Sequence, residues 1–291
     1  MTFLKRGQRI LHRWRRKILF NFHWISDEHV KANVEEPEDE GSGDGLKSYY
    51  TSPHKLRKFV DDTNEKNPDW VVSTGDIING SPGGVEDVNY YLDIVNNINT
   101  EMDYAVGNHD IDKLTRDELA NLVGYGEHTK NADSKFNFTF TKKENSKYPI
   151  RIIMIDSTHG STAYAGQCNE NTRNWIESIL NSCEEKYVLM FMHQQPHRYW
   201  TDSFVESDAY DLSDLVENYV DSRNLNVSCF FGHRHGNAEV WTHNNLGSHF
   251  LGYMCTALSD WEENWWWECQ LRRDGRINFI AHNVSYPYYW N

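Results

Sequence analysis

Short apolar runs alternate with amphipathic stretches along most of the chain, which predicts strands interleaved with helices. Residues 17–25 are apolar and aromatic enough for a buried strand, and they stop at Ser26-Asp27-Glu28-His29. Helical spacing covers residues 54–64. A strand at 70–73 then ends in Thr74-Gly75-Asp76, and a second helix occupies 85–98. Residues 104–106 read as a short strand leading into Gly107-Asn108-His109-Asp110, with helical spacing again at 113–123. Strict alternation at 135–141 predicts a half-exposed antiparallel strand, and 150–155 a buried strand closing on Asp156. A helix at 171–180 carries Trp175, Ile179 and Leu180 on one face, and the buried strand 187–192 delivers His193. The rhythm repeats with a helix at 212–220 and a strand at 227–231 that ends in Gly232-His233-Arg234-His235.

From residue 238 onward the chain turns β-rich and aromatic, with Trp261, Trp265, Trp266, Trp267 and an aromatic tail at 286–290. An α/β architecture of two sheets packed face to face, with helices outside, accommodates this order. The tryptophans are read as filling space between layers, where aromatics bury large areas, in preference to a carbohydrate or partner surface. Residues 31–47 are acidic, Gly-rich and aperiodic, and read as a solvated surface loop in preference to a lid.

At 291 residues, 38% hydrophobic and 14% aromatic, the chain is long enough for one large domain, and no linker divides it. The expected organisation is a basic N-terminal segment at 1–17 followed by a single domain at 18–291. The segment's cations (Lys5, Arg6, Arg9, Arg13, Arg15, Arg16, Lys17) are read as a solvated edge, not an arm for membrane or nucleic acid. A net charge of -14 disfavours nucleic acid as a partner, although bound cations can still attract an anionic substrate locally. Five cysteines form an odd set without metal-knuckle spacing, which fits a reducing compartment and a cytoplasmic address. No apolar stretch approaches the roughly 20 residues that span a bilayer.

Five strand ends finish in residues that bind hard or borderline divalent cations: Asp27 with His29, Asp76, Asn108, His193, and His233 with His235. Taken singly, each is weak. In an α/β sandwich the carboxyl ends of strands gather on one edge, so ligands distant in sequence can converge there. Mixed carboxylate, amide and imidazole donors suit Mn²⁺, Fe or Zn²⁺ better than Mg²⁺ or Ca²⁺.

The order Asp-x-His, Gly-Asp, Gly-Asn-His-Asp, His, Gly-His-x-His resembles the calcineurin-like metallophosphoesterase superfamily, over residues 18–282. Two connecting features, Ile155-Asp156-Ser157 and Trp175 to Leu180, resemble its cyclic-nucleotide phosphodiesterase branch. The resemblance implies a four-layer αββα fold and a dinuclear hydrolase of phosphodiesters or phosphomonoesters. One cation would take Asp27, His29 and His235, the other Asn108, His193 and His233, with Asp76 bridging both. A hydroxide between the cations would attack phosphorus, His109 would act as general acid, and Asp110 would orient or charge-stabilise its imidazole. Expected substrates are a phosphorylated small molecule, a nucleotide or a phosphoprotein. His159, His197 and Arg234 are candidate substrate contacts, each with a plain loop role as the alternative. Asn79 stands where many relatives carry a second carboxylate, so the surroundings of the metals lose one charge there. Two other readings are a metal-binding module without turnover, against which the intact ligand set counts, and a nuclease, against which the negative surface counts.

Overall fold

In the computed structural model, which describes residues 18–34, 44–80, 84–158, 165–196, 206–235, 240–242, 250–254, 258 and 265–284, the two faces of each central strand meet different partners. The strands in chain order are β1 (Ile18–Ile25), β2 (Trp70–Ser73), β3 (Met102–Tyr104), β4 (Phe138–Lys142), β5 (Ile150–Met154) and β6 (Tyr187–Phe191). They continue with β7 (Asn226–Phe231), β8 (Val240–Thr242), β9 (Phe250–Met254), β10 (Trp265–Arg272) and β11 (Ile277–Asn283). The helices are α1 (Asp44–Lys66), α2 (Val85–Val95), α3 (Arg116–Leu122), α4 (Glu170–Ser182) and α5 (Glu206–Arg223), with a 3₁₀ turn at His109–Ile111.

One sheet has the order β11-β10-β1-β2-β3 and the other β4-β5-β6-β7-β9-β8. β1, β2 and β3 run parallel, as do β5, β6, β7 and β9. Between the sheets lie Phe20, Phe22, Trp24, Trp70, Val72, Ile152, Leu189, Phe191 and Phe230, all buried. Phe191 stacks on Phe230 at 4.6 Å, and the edges of Phe22 and Trp70 meet them at 5.4 and 5.2 Å. The alternate positions point outward: Val71 and Ile25 meet Leu56, Phe59, Val88 and Tyr91 of α1 and α2. Val188, Met190, Val227 and Cys229 meet Ile176, Leu180 and Val216 of α4 and α5. The period-two alternation of the strands therefore builds the expected helix–sheet–sheet–helix layering.

Trp266 is buried beneath α1, with Phe59 at 5.4 Å and His23 at 4.3 Å, so this tryptophan is core; Trp261 and residues 286–290 lie outside the described residues. The N-terminal segment 1–17 also lies outside them. Four cysteines (Cys168, Cys183, Cys229, Cys269) are buried, and none of them forms a disulfide among the described residues. Among the described residues no helix is long and apolar enough to cross a membrane.

Some boundaries depart from the sequence reading. α1 begins at Asp44, inside the stretch read as loop, and runs through Pro53. β3 ends at Tyr104; Ala105 and Val106 stay buried, Ala105 between the sheets and Val106 in the core under α1 and α2, and the Ala105 amide donates to Ser73 O at 2.9 Å. β4 starts at Phe138, because Asn131 and Ser134 pair with each other and Asn137 closes the turn through its side chain.

Candidate metal centre

Parallel strands put their carboxyl ends on one edge, and there the expected aspartates and histidines converge. Asp27 and His29 follow β1, Asp76 follows β2, Asn108 follows β3, His193 follows β6, and His233 and His235 follow β7. Their donor atoms form two groups, Asp27 with His29 and His235, and Asp76 with His193 and His233, all lying within 4.8 Å of one another in each group. In the first, His29 Nε2 is 2.9 Å from His235 Nε2, and His235 Nε2 is 3.4 Å from Asp27 Oδ1. In the second, His193 Nε2 is 3.1 Å from Asp76 Oδ2 and 3.3 Å from His233 Nδ1. Atoms bound at about 2.0–2.2 Å to one cation stand roughly 3–3.5 Å apart, so these spacings fit a shared ion. Asp76 Oδ2 faces both groups, at 3.1 Å from His193 and 3.8 Å from His29. The donor set, two carboxylates and four imidazoles, fits two divalent metal ions.

The backbone at these positions is unusual. Asp27 (φ 53°), His29 (φ 45°), Asp76 (φ 55°), His233 (φ 76°) and His235 (φ 21°) are all left-handed, a conformation that costs non-glycine residues about 1 kcal/mol or more. Hydrogen bonds hold it. The Asp27 amide donates to Gly75 O and the His29 amide to Asp76 O, each at 2.9 Å, while the His233 amide donates to Asp27 Oδ2 at 3.0 Å. Gly107 admits no side chain, because any Cβ would strike the Asp76 carboxylate. Gly75 has φ 97° and the same restriction against Gly107 N, at 2.6 Å.

Burial and charge set the protonation of the cluster. Burial alone would lower His193, but the adjacent Asp76 carboxylate outweighs it and raises the imidazole to about 9. Its Nδ1 donates to Thr74 O at 2.9 Å, which leaves Nε2 facing the site. Burial lowers His29 and His233 to about 4, so both keep free lone pairs. Burial would raise Asp27, yet the His235 contact and the charges of His193 and His29 hold it well below the usual carboxylate range.

Asn108 is buried, its Oδ1 3.5 Å from Gln194 Nε2, and Gln194 Oε1 accepts from Ser157 Oγ at 2.5 Å. The His109 ring stands 5.2 Å from the His29 ring, and its amide donates to Asp76 Oδ1 at 2.8 Å. The expected pairing of Asp110 with His109 is corrected by the structure. Asp110 is buried, and its carboxylate accepts from the amides of Asp76, Gly107 and Ile78 at 3.0, 2.8 and 3.1 Å, so it clamps the two ligand loops together. Burial, and then the charge of Asp76, pushes Asp110 up to about 8. The carboxylate at the imidazole is that of Asp112, with Oδ2 2.9 Å from His109 Nδ1. Sequence reasoning missed Asp112, although a separation of three residues across a helical turn is the signal that would have found it. It missed Gln194 as well, and took Ser157 only as part of a connecting feature, not as the partner of Gln194. Arg234 is exposed, whereas His159 and His197 lie outside the described residues.

The chain is 27% identical over 229 residues, 77% of its length and 74% of the relative's, to a protein of Arcobacter nitrofigilis described as a probable glycerophosphodiester phosphodiesterase GpdQ. A dimetal phosphatase from Danio rerio superposes with a TM-score of 0.69 at 15% identity, covering 92% of this chain and 97% of that one. GAP50, the anchor in the inner membrane complex of Plasmodium, superposes at 0.55 with 12% identity, covering 94% of this chain and 90% of that one. These superpositions show a shared fold. The family of calcineurin-like phosphoesterases matches residues 20–237, three-quarters of the chain and a span within which every expected ligand falls, and with the fold and the two donor groups in place the protein belongs to that family, as a metal-dependent hydrolase of phosphate esters.

Proposed function

We propose that the chain hydrolyses small phosphate esters at a centre of two cations, with Asp76 shared between them and His109 protonating the departing oxygen. The observation that carries this reading is the position of Asp76 Oδ2, which faces His29 of one group and His193 of the other. Asn108, buried beside Gln194, completes the second group through its amide oxygen. Two cations bound there would polarise the phosphoryl oxygens and acidify a water toward neutral pH. His109 holds Nδ1 against Asp112, so Nε2 is the atom that gives a proton to the leaving group. His235 is exposed and His109 half-buried, with side chains 46% and 30% accessible, and they mark the side from which the ester enters.

A diester of a small alcohol is the proposed substrate class, supported by the described activity of the Arcobacter relative. The net charge of -14 supports a small anion over a nucleic acid. Mn²⁺, Fe and Zn²⁺ are the proposed metals, on the mixture of imidazole, amide and carboxylate donors. The test is hydrolysis of paired chromogenic monoesters and diesters by stripped protein reloaded with each metal separately. Metal-dependent turnover with diester preference is expected. Monoester preference would overturn the substrate class, and silence with metals bound would overturn turnover itself. Asp76→Ala should abolish turnover and lower metal uptake, read by elemental analysis, while far-ultraviolet circular dichroism stays unchanged.

A further inference from the structure

Glu28 stands between Asp27 and His29 and is wholly buried. A buried carboxyl is costly unless its oxygens are partnered, and here both are. Tyr91 of α2 donates its hydroxyl to Oε1 at 3.1 Å, and Ser73 at the end of β2 donates to Oε2 at 3.1 Å. The Glu28 carbonyl accepts from Ser52 Oγ of α1. Ser73 Oγ also accepts from the Gly75 amide at 3.2 Å, one residue before Asp76. One side chain thus joins the end of β1 to a helix, a neighbouring strand and the next ligand turn. The residues on either side of it are both left-handed, and such backbone persists only where its surroundings over-determine it.

We propose that Glu28, anchored by Tyr91 and Ser73, is a positioning residue that holds Asp27 and His29 in the geometry one cation requires. The proposal rests on the ligand reading given above. Glu28 touches neither cation nor substrate; it acts through its two neighbours, as outer hydrogen-bonding groups do in metal sites.

The test is calorimetric titration of the full chain, stripped of metal, with Mn²⁺. His235→Ala and His233→Ala each remove a ligand of a different group and so assign the two binding phases. Tyr91→Phe and Glu28→Leu should weaken the phase assigned to His235 by about 10- to 100-fold and move the other by less than about threefold. Glu28→Gln should recover most of that affinity, because its amide can accept from one hydroxyl and donate to the other. If Glu28→Leu does not fold by circular dichroism, Tyr91→Phe, which loses one oxygen, decides alone. Unchanged phases in the variants, or equal weakening of both, overturn the positioning role. Absence of both phases in the unmodified chain overturns the ligand reading and the proposal with it.

Discussion

Solvent reaches both partners of the His109–Asp112 pair, whose side chains are 30% and 33% accessible, so the contact contributes orientation more than attraction. Fixing Nδ1 selects the tautomer and aims Nε2, and that matters only where the leaving oxygen needs a proton. Asp112→Asn should therefore lower kcat about tenfold on alkyl esters and less than about twofold on nitrophenyl esters, measured at fixed metal loading. Equal losses on both esters would assign Asp112 a structural role. The candidate ligands were legible in the sequence because each follows an apolar run, and the glycines before Asp76, Asn108 and His233 mark turns too tight for a Cβ. The partner of His109 was not legible. Adjacency favoured Asp110, but the turn points that carboxylate back at three amides and brings Asp112 to the ring. Asp112 Cβ packs against Gly80, so a carboxylate stands beside the turn of Asn79 after all, delivered from another segment.

Strand periodicity made the elements of the two sheets readable, since inward and outward positions alternate between apolar partners. Helix and loop boundaries were harder, because α1 begins in a Gly-rich acidic stretch and continues past a proline, both of which oppose helix by local propensity. The inter-sheet stack gives β6 a measurable weight. Phe191→Ala should cost about 3–5 kcal/mol in denaturant unfolding, whereas Ile280→Ala, at an exposed position of β11, should cost less than about 0.5 kcal/mol. On β1, burial and then the charges of His282 and Lys66 lower His23 to about 3, while the unfolded chain titrates near 6.5. Between those values the unfolded state binds a proton that the folded state refuses, so stability falls as pH drops, by about 1.4 kcal/mol per unit at the steepest. His23→Phe keeps an aromatic ring beside Trp266 and removes this titration. Its unfolding free energy should decline less than that of the unmodified protein between pH 7 and 5, with the ligand histidines titrating alike in both.

Taken as a whole, the molecule carries -14 charges and acts on an anion, so its far field opposes the encounter that its cations favour at close range. Raising salt from about 10 to 150 mM shortens the screening length from about 30 to 8 Å, and kcat/KM for a phosphate ester should rise with it. The rise should be larger for a dianionic monoester than for a monoanionic diester; a fall would show that positive charge at the mouth governs capture. The layering has a mechanical side as well. Asp27, His29 and Asp76 belong to one sheet, and His193, His233 and His235 to the other, so a cation in either group is a clasp across the open edge of the sandwich. Loading the centre and closing that edge are then one equilibrium. A chelator would act on this protein as a loosened binding acts on a book: the aromatic stack would still hold the spine, while five left-handed residues at the free edge would be left to their hydrogen bonds alone.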